Sequence, residues 1–152
     1  MSRSDVESDF PGLIGKQYDL SPEDFNYNCL SFALGDYSQW WEPPKGPGQY
    51  WPPGFSDDTT VETVEAIIRL HGFTVEIMPN EKPSSDAIAI YATSNHWRHF
   101  AKFSHGVWSS KLGDGNDVSG VTLQDLEMPI YGKVVKVLCR PLPLSEASTV
   151  DL

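Results

Sequence analysis

From residue 73 to residue 140 the chain alternates apolar and polar residues at period two, or runs in short branched apolar stretches closed by turn residues. That pattern commits this half of the chain to strands, predicted over 73–78, 86–92, 99–103, 107–112 and 133–140. Ser104-His105-Gly106 leaves room for a tight connection only, so the third and fourth strands are expected to lie side by side. A short helical turn is expected over 122–127.

Two helices precede the strands. Asn28-Cys29-Leu30-Ser31-Phe32-Ala33-Leu34 is apolar on nearly every side and is followed by Gly35, which predicts a short buried helix capped by Asn28 and stopped by glycine. Thr59-x-x-Glu62 reads as a capping box. It opens a helix that carries Val61, Val64, Ile67, Ile68 and Leu70 at helical spacing and ends at His71-Gly72. Ser21-Pro22-Glu23-Asp24 predicts a helix start of at most one turn. Between the helices, residues 37–55 are rich in Pro, Gly and aromatics, and the missing donors of proline predict an ordered loop. Helices followed by an antiparallel sheet make an α+β fold, with the Cys-bearing helix packed centrally on the sheet. The expected organisation is an N-terminal segment over 1–24, one domain over 25–141 and a flexible tail over 142–152.

Composition narrows the function. The chain has 152 residues, 39% hydrophobic and 12% aromatic, enough for one core of its own. Its formal charge is -10, so a phosphate backbone or an anionic membrane would be repelled over most of the surface. Neither nucleic acid nor membrane is an expected partner, whereas a basic protein could dock on the acidic surface. There is no apolar leader-like stretch and no apolar run of about 18 residues, which predicts a cytoplasmic protein, with non-classical delivery open to it. Cys29 and Cys139 are expected to be free thiols, and no Cys or His spacing suits zinc. No metal or cofactor is implied.

The chemistry is expected at Cys29. At the first position of a capped helix it meets unsatisfied backbone N–H groups, which favour a thiolate, and these groups together with the Asn28 side chain would form an oxyanion hole. His99 opens a strand on which His99, Ala101 and Phe103 share one face. If Ala101 and Phe103 pack on the central helix, His99 stands beside Cys29 as its base. His96 is the main rival, or a part of the site's rim, while His71 and His105 suit a helix end and a turn. Ser110 is a candidate third group to hold the imidazole, with Asp114, Asn116 and Asp117 as alternatives. Trp40, Trp41, Tyr50 and Trp51 could wall a substrate groove or close the core.

The blocks Tyr27-Asn28-Cys29-Leu30-Ser31-Phe32-Ala33-Leu34-Gly35, Trp40-Trp41-x-Pro43-Pro44, His99-Phe100-Ala101-Lys102 and Trp108-Ser109-Ser110-Lys111-Leu112-Gly113 resemble a largely uncharacterised bacterial domain family. That family is similar to the minimal papain-like, NlpC-type cysteine peptidases. The resemblance spans about residues 25 to 120. It implies a papain-like core with Cys29 as nucleophile, His99 as base and then acid, and a third position near Ser110 or Lys111. Those peptidases carry Asp-Cys-Ser at the nucleophile, where this chain has Asn-Cys-Leu. The expected function is a cysteine hydrolase of an amide or peptide bond: a peptidase, amidase or deamidase, including a toxin-like effector. The alternative is a non-catalytic papain-like binding module, such as an inhibitor or immunity protein. A redox pair of Cys29 with Cys139 is a third reading.

Overall fold

The computed structural model describes residues 2–44, 46–112 and 115–142. Its frame is a seven-stranded antiparallel sheet in the order β1-β8-β7-β6-β5-β9-β4. The strands are β1 (Asp19–Leu20), β4 (Val75–Ile77), β5 (Ala87–Thr93), β6 (His96–Ser104), β7 (Val107–Lys111), β8 (Asp117–Val121) and β9 (Lys133–Cys139). A separate parallel ribbon joins β2 (Trp40–Trp41) to β3 (Gln49–Tyr50) inside the expected loop. The α-helices are α1 (Arg3–Asp9), α2 (Cys29–Leu34) and α3 (Val61–Leu70). The fold is thus α+β with a mostly antiparallel sheet. Among the described residues no helix is long and apolar enough to cross a membrane.

The central strand β5 is buried along almost its whole length, because both faces of the sheet are covered. On one face Ile88, Ile90 and Phe100 meet Leu30 and Ala33 of α2, Val64, Ile67 and Ile68 of α3, and the indoles of Trp41 and Trp51. On the other, Ala89, Tyr91, Ala101 and Val137 meet Val6, Phe10 and Leu13, together with Leu123, Leu126 and Tyr131. Residues 2–20, expected only as a segment outside the domain, therefore pack into the same core as the sheet. Each fully buried aliphatic side chain here contributes about 1.5–3 kcal/mol.

Helix α2 ends where its caps dictate. The Asn28 side chain accepts from the Ser31 N–H at 3.1 Å, and the Ser31 hydroxyl accepts from the Asn28 N–H at 2.8 Å. Gly35, at φ 82°, takes the left-handed turn that stops it. Two local expectations are corrected. Thr60, not Thr59, caps α3, because Thr59 is drawn to β6: its carbonyl accepts from Trp97 N–H and its hydroxyl pairs with His96. Residues 21–24 form no helix, since the Ser21 N–H donates to the Asp117 carbonyl and the Asp24 N–H to that of Gly115, which keeps the chain extended along β8.

Candidate functional site

Cys29 and His99 line one cavity of about 220 Å³, with Asn28, Trp40, Glu42, Trp97, Arg98 and Tyr131. They reach it by a route the period-two reading did not anticipate. Ala101 and Phe103 lie on the face away from α2, and it is Phe100 that packs on Leu30 and Ala33. His99 goes with that far face, its ring 5.5 Å from Tyr91 and stacked on Tyr131 at 3.7 Å and 5°.

Both residues border the cavity where β6 loses its β7 neighbour. Pairing between β6 and β7 ends at Lys102↔Ser109. Beyond it the start of α2 packs against both strands, and side chains take over from the ladder: the Ser110 hydroxyl donates to the Phe100 carbonyl at 2.8 Å. A second irregularity completes the site. Tyr91 pairs with His99 but Ala92 with Trp97, so Arg98 is an extra residue with no counterpart on β5. This bulge turns Trp97 to the α2 side and His99 to the other, and brings Arg98 to the cavity.

The hydrogen bonds of Ser110 fix the histidine tautomer. A serine hydroxyl has one proton, and here it goes to the Phe100 carbonyl. The same oxygen is hydrogen-bonded to His99 Nε2, so Nε2 must be the donor and Nδ1 carries the lone pair. His99 is 1% exposed, and this burial holds its imidazole down at about 3. It is neutral through the physiological range. Cys29 keeps some exposure as a residue, yet protein surrounds the sulfur, and burial pushes the thiol up to about 12. The backbone N–H groups of Phe100, Leu30 and Cys29 act against that rise, while the Glu42 charge adds to it. The expectation of a lowered thiol is therefore overturned: burial of the sulfur outweighs the backbone N–H groups at the start of the helix. Among the described residues no hydrogen bond joins Cys29 to His99, and the resting pair is thiol and imidazole.

Other expected site residues sort by position. Asn28 lines the cavity, but its amide is spent on the fold: Nδ2 donates to the Trp41 carbonyl at 2.9 Å and Oδ1 caps α2. Trp40 borders the cavity, its indole N–H on the Phe25 carbonyl. Trp41 and Trp51 belong to the core and His96 is exposed against Thr59, so none of these three lines the cavity. Asp117 accepts from Tyr27 and faces Lys111, and it does not line the cavity. Asn116 is buried and donates to the Ser21 carbonyl. Asp114 lies outside the described residues, as do positions 143–152 of the expected tail. Both cysteines are free thiols, and Cys139 is buried in the far core. Among the described residues no group of three or more His, Cys, Asp or Glu is placed to hold a metal ion.

Tyr131, Glu42, Trp97 and Arg98 were not foreseen. Tyr131 is held by Gly132, whose left-handed φ of 78° lets the chain press so close to β5 that a Cβ would overlap the Ala92 carbonyl. Its phenol ring shields the imidazole from water. Tyr131→Ala should therefore move the His99 ionisation from about 3 towards the ordinary 6.5, read from the imidazole proton shifts across a pH titration by NMR. An unmoved ionisation would mean that the strands alone keep water out.

What the fold and the cavity define is an α+β domain in which a helix-borne cysteine and a strand-borne histidine share a small cavity. By sequence, the chain belongs to the family described as "Domain of unknown function (DUF7689)", which matches residues 18–139. No curated protein and no solved structure matches it.

Proposed function

We propose that this domain is a papain-like, NlpC-type cysteine hydrolase that cleaves an amide bond, whether as peptidase, amidase or deamidase. The observation that carries the reading is the chain of hydrogen bonds from His99 Nε2 through Ser110 to the Phe100 carbonyl, in a cavity shared with Cys29. It gives the imidazole a fixed tautomer whose free lone pair serves as the base, the role a third group plays in such sites. The order of a cysteine on a helix before a histidine on an antiparallel strand also agrees.

Since thiol and imidazole both rest neutral, the proton leaves sulfur only as the sulfur–carbon bond forms, and His99 Nδ1 receives it. The N–H groups of Cys29 and Leu30 stabilise the oxyanion. The departing amine takes the proton from His99, and water then cleaves the thioester with His99 again as base. Because His99 stays unprotonated down to about 3, kcat/KM should show no acid limb near 6.5.

The test is to incubate the protein with pooled peptides and carboxamides in hydroxylamine, which intercepts a thioester as a hydroxamate detectable by mass spectrometry. The wild type should give hydroxamates and Cys29→Ala none. Identical product patterns from the two would remove the hydrolase reading. The neutral resting pair supports a second reading, a non-catalytic papain-like module such as an inhibitor or immunity protein that binds a basic partner through its acidic surface. Partner capture unaffected by Cys29→Ala would favour it.

A further inference from the structure

Two opposite charges stand in the Cys29–His99 cavity without pairing with each other. Glu42 follows β2 and is fixed there: its N–H donates to the Tyr50 carbonyl at 3.0 Å, and its carboxylate accepts from Gln49 Nε2 at 2.9 Å. Arg98 is the extra residue of the β6 bulge, exposed, and in no ion pair among the described residues. Opposite charges free to meet at a surface usually form a weak ion pair. Here the ribbon and the bulge hold them apart on one cavity wall and rim. The Glu42 charge also reaches the Cys29 sulfur.

Size sets the second condition. At about 220 Å³ the cavity lies below the roughly 300–1,000 Å³ of pockets for drug-sized ligands, so it suits one amino-acid-sized molecule. The indoles of Trp40 and Trp97 and the phenol of Tyr131 offer apolar walls for a short methylene chain.

Resting on the hydrolase reading, we propose that the substrate is a free α-amino acid carrying a side-chain carboxamide, its ammonium held by Glu42 and its carboxylate by Arg98. A guanidinium binds a carboxylate through two parallel N–H bonds, which suits the outer position of Arg98. Sulfur bonds to the carboxamide carbon, and the carbon–nitrogen bond breaks. Ammonia departs with the thiol proton relayed by His99. Water then cleaves the thioester, leaving a side-chain carboxylate and restoring the thiol. A leaving group as small as ammonia also suits a cavity of this size.

The test compares three reagents on Cys29 by intact mass and peptide mapping at pH 8. They are a chloromethyl ketone analogue of glutamine with free ammonium and carboxylate, the same ketone as its N-acetyl methyl ester, and iodoacetamide. The proteins are wild type, Arg98→Gln and Glu42→Gln. In the wild type the free ketone should label about tenfold faster than the masked one, or more, and each substitution should abolish that preference. Iodoacetamide, which has neither an ammonium nor a carboxylate, reports the bare reactivity of Cys29 in each protein, and the ketone rates are compared as ratios to it. Equal labelling by free and masked ketones in the wild type, or a preference that survives either substitution, overturns the proposal while leaving the hydrolase reading intact. A Cys29 inert to all three reagents overturns the hydrolase reading, and the substrate assignment with it.

Discussion

Lys111→Met should cost the folded state about 3–5 kcal/mol, a large part of what a domain of this size has to lose. The Lys111 side chain is fully buried. Its ammonium donates to the carbonyl oxygens of Asp24 and Gly115, lies 4.2 Å from the centre of the Tyr27 ring, and faces Asp117 at 3.9 Å. Asp117 in turn accepts from the Tyr27 hydroxyl at 2.8 Å. Methionine keeps the methylene packing but strips the charge, leaving the half-buried Asp117 carboxylate and two carbonyls without their cation. The measurement is the urea midpoint of the variant against the wild type. The same cluster ties residue 24 to residue 115 just ahead of α2, so the loss should also loosen the approach to Cys29. Loss of less than about 1 kcal/mol would mean that the cage is solvated.

The second large effect follows from His99. In the unfolded chain its imidazole takes a proton at the ordinary 6.5, whereas in the fold burial delays this to about 3. Between these values the unfolded state binds the extra proton, so stability rises with pH there and is lost as pH falls through the window. The slope approaches about 1.4 kcal/mol per pH unit for one proton. Asp36 contributes lower down: burial raises its carboxyl, but hydrogen bonds from Trp41, Gln39 and Ser38 outweigh burial and hold it at about 2. Its contribution is lost as pH falls from the ordinary 3.8 through about 2. Urea unfolding of wild type and His99→Gln at pH 4 and pH 7 separates the two. The wild type should lose about 3 kcal/mol more than the variant on acidification. Parallel losses would mean that His99 is hydrated in the fold.

The architecture was legible wherever one physical signal dominated. The cap at Asn28 and the stop at Gly35 bound α2, and the apolar spacing of Val61, Val64, Ile67 and Ile68 marks α3. Five strands follow from their alternation and differ from the observed ones mainly at their ends. Strand β8 escaped because Ser119 and Gly120 interrupt its two valines and because a bulge beside Ser109 breaks its register. Helix α1 carries a single buried residue, Val6, too little for a periodic signal. That Cys29 and His99 border one cavity was legible from residue types, and Ser110 as the partner of the imidazole, but Ala101 and Phe103 do not pack on α2. Alternation along β6 places His99 away from α2, and the extra residue Arg98 and the early end of the β6–β7 ladder flank it where the cavity lies. Neither feature has a sequence signature. The neutral state of the pair was likewise hidden, since it depends on Tyr131 lying over the imidazole from thirty-odd residues further on.

The claim at the centre is that His99 takes the proton of Cys29 as its sulfur reacts, and the rate of Cys29 alkylation by iodoacetamide from pH 5 to pH 9 tests it most directly. In the wild type the rate should be nearly flat, because an imidazole unprotonated above about 3 is available as base throughout. In His99→Gln only thiolate can react, and with the thiol pushed up to about 12 the rate should climb about tenfold with each pH unit. The same tenfold climb in the wild type would show that the proton goes to water and that the pair does not act together.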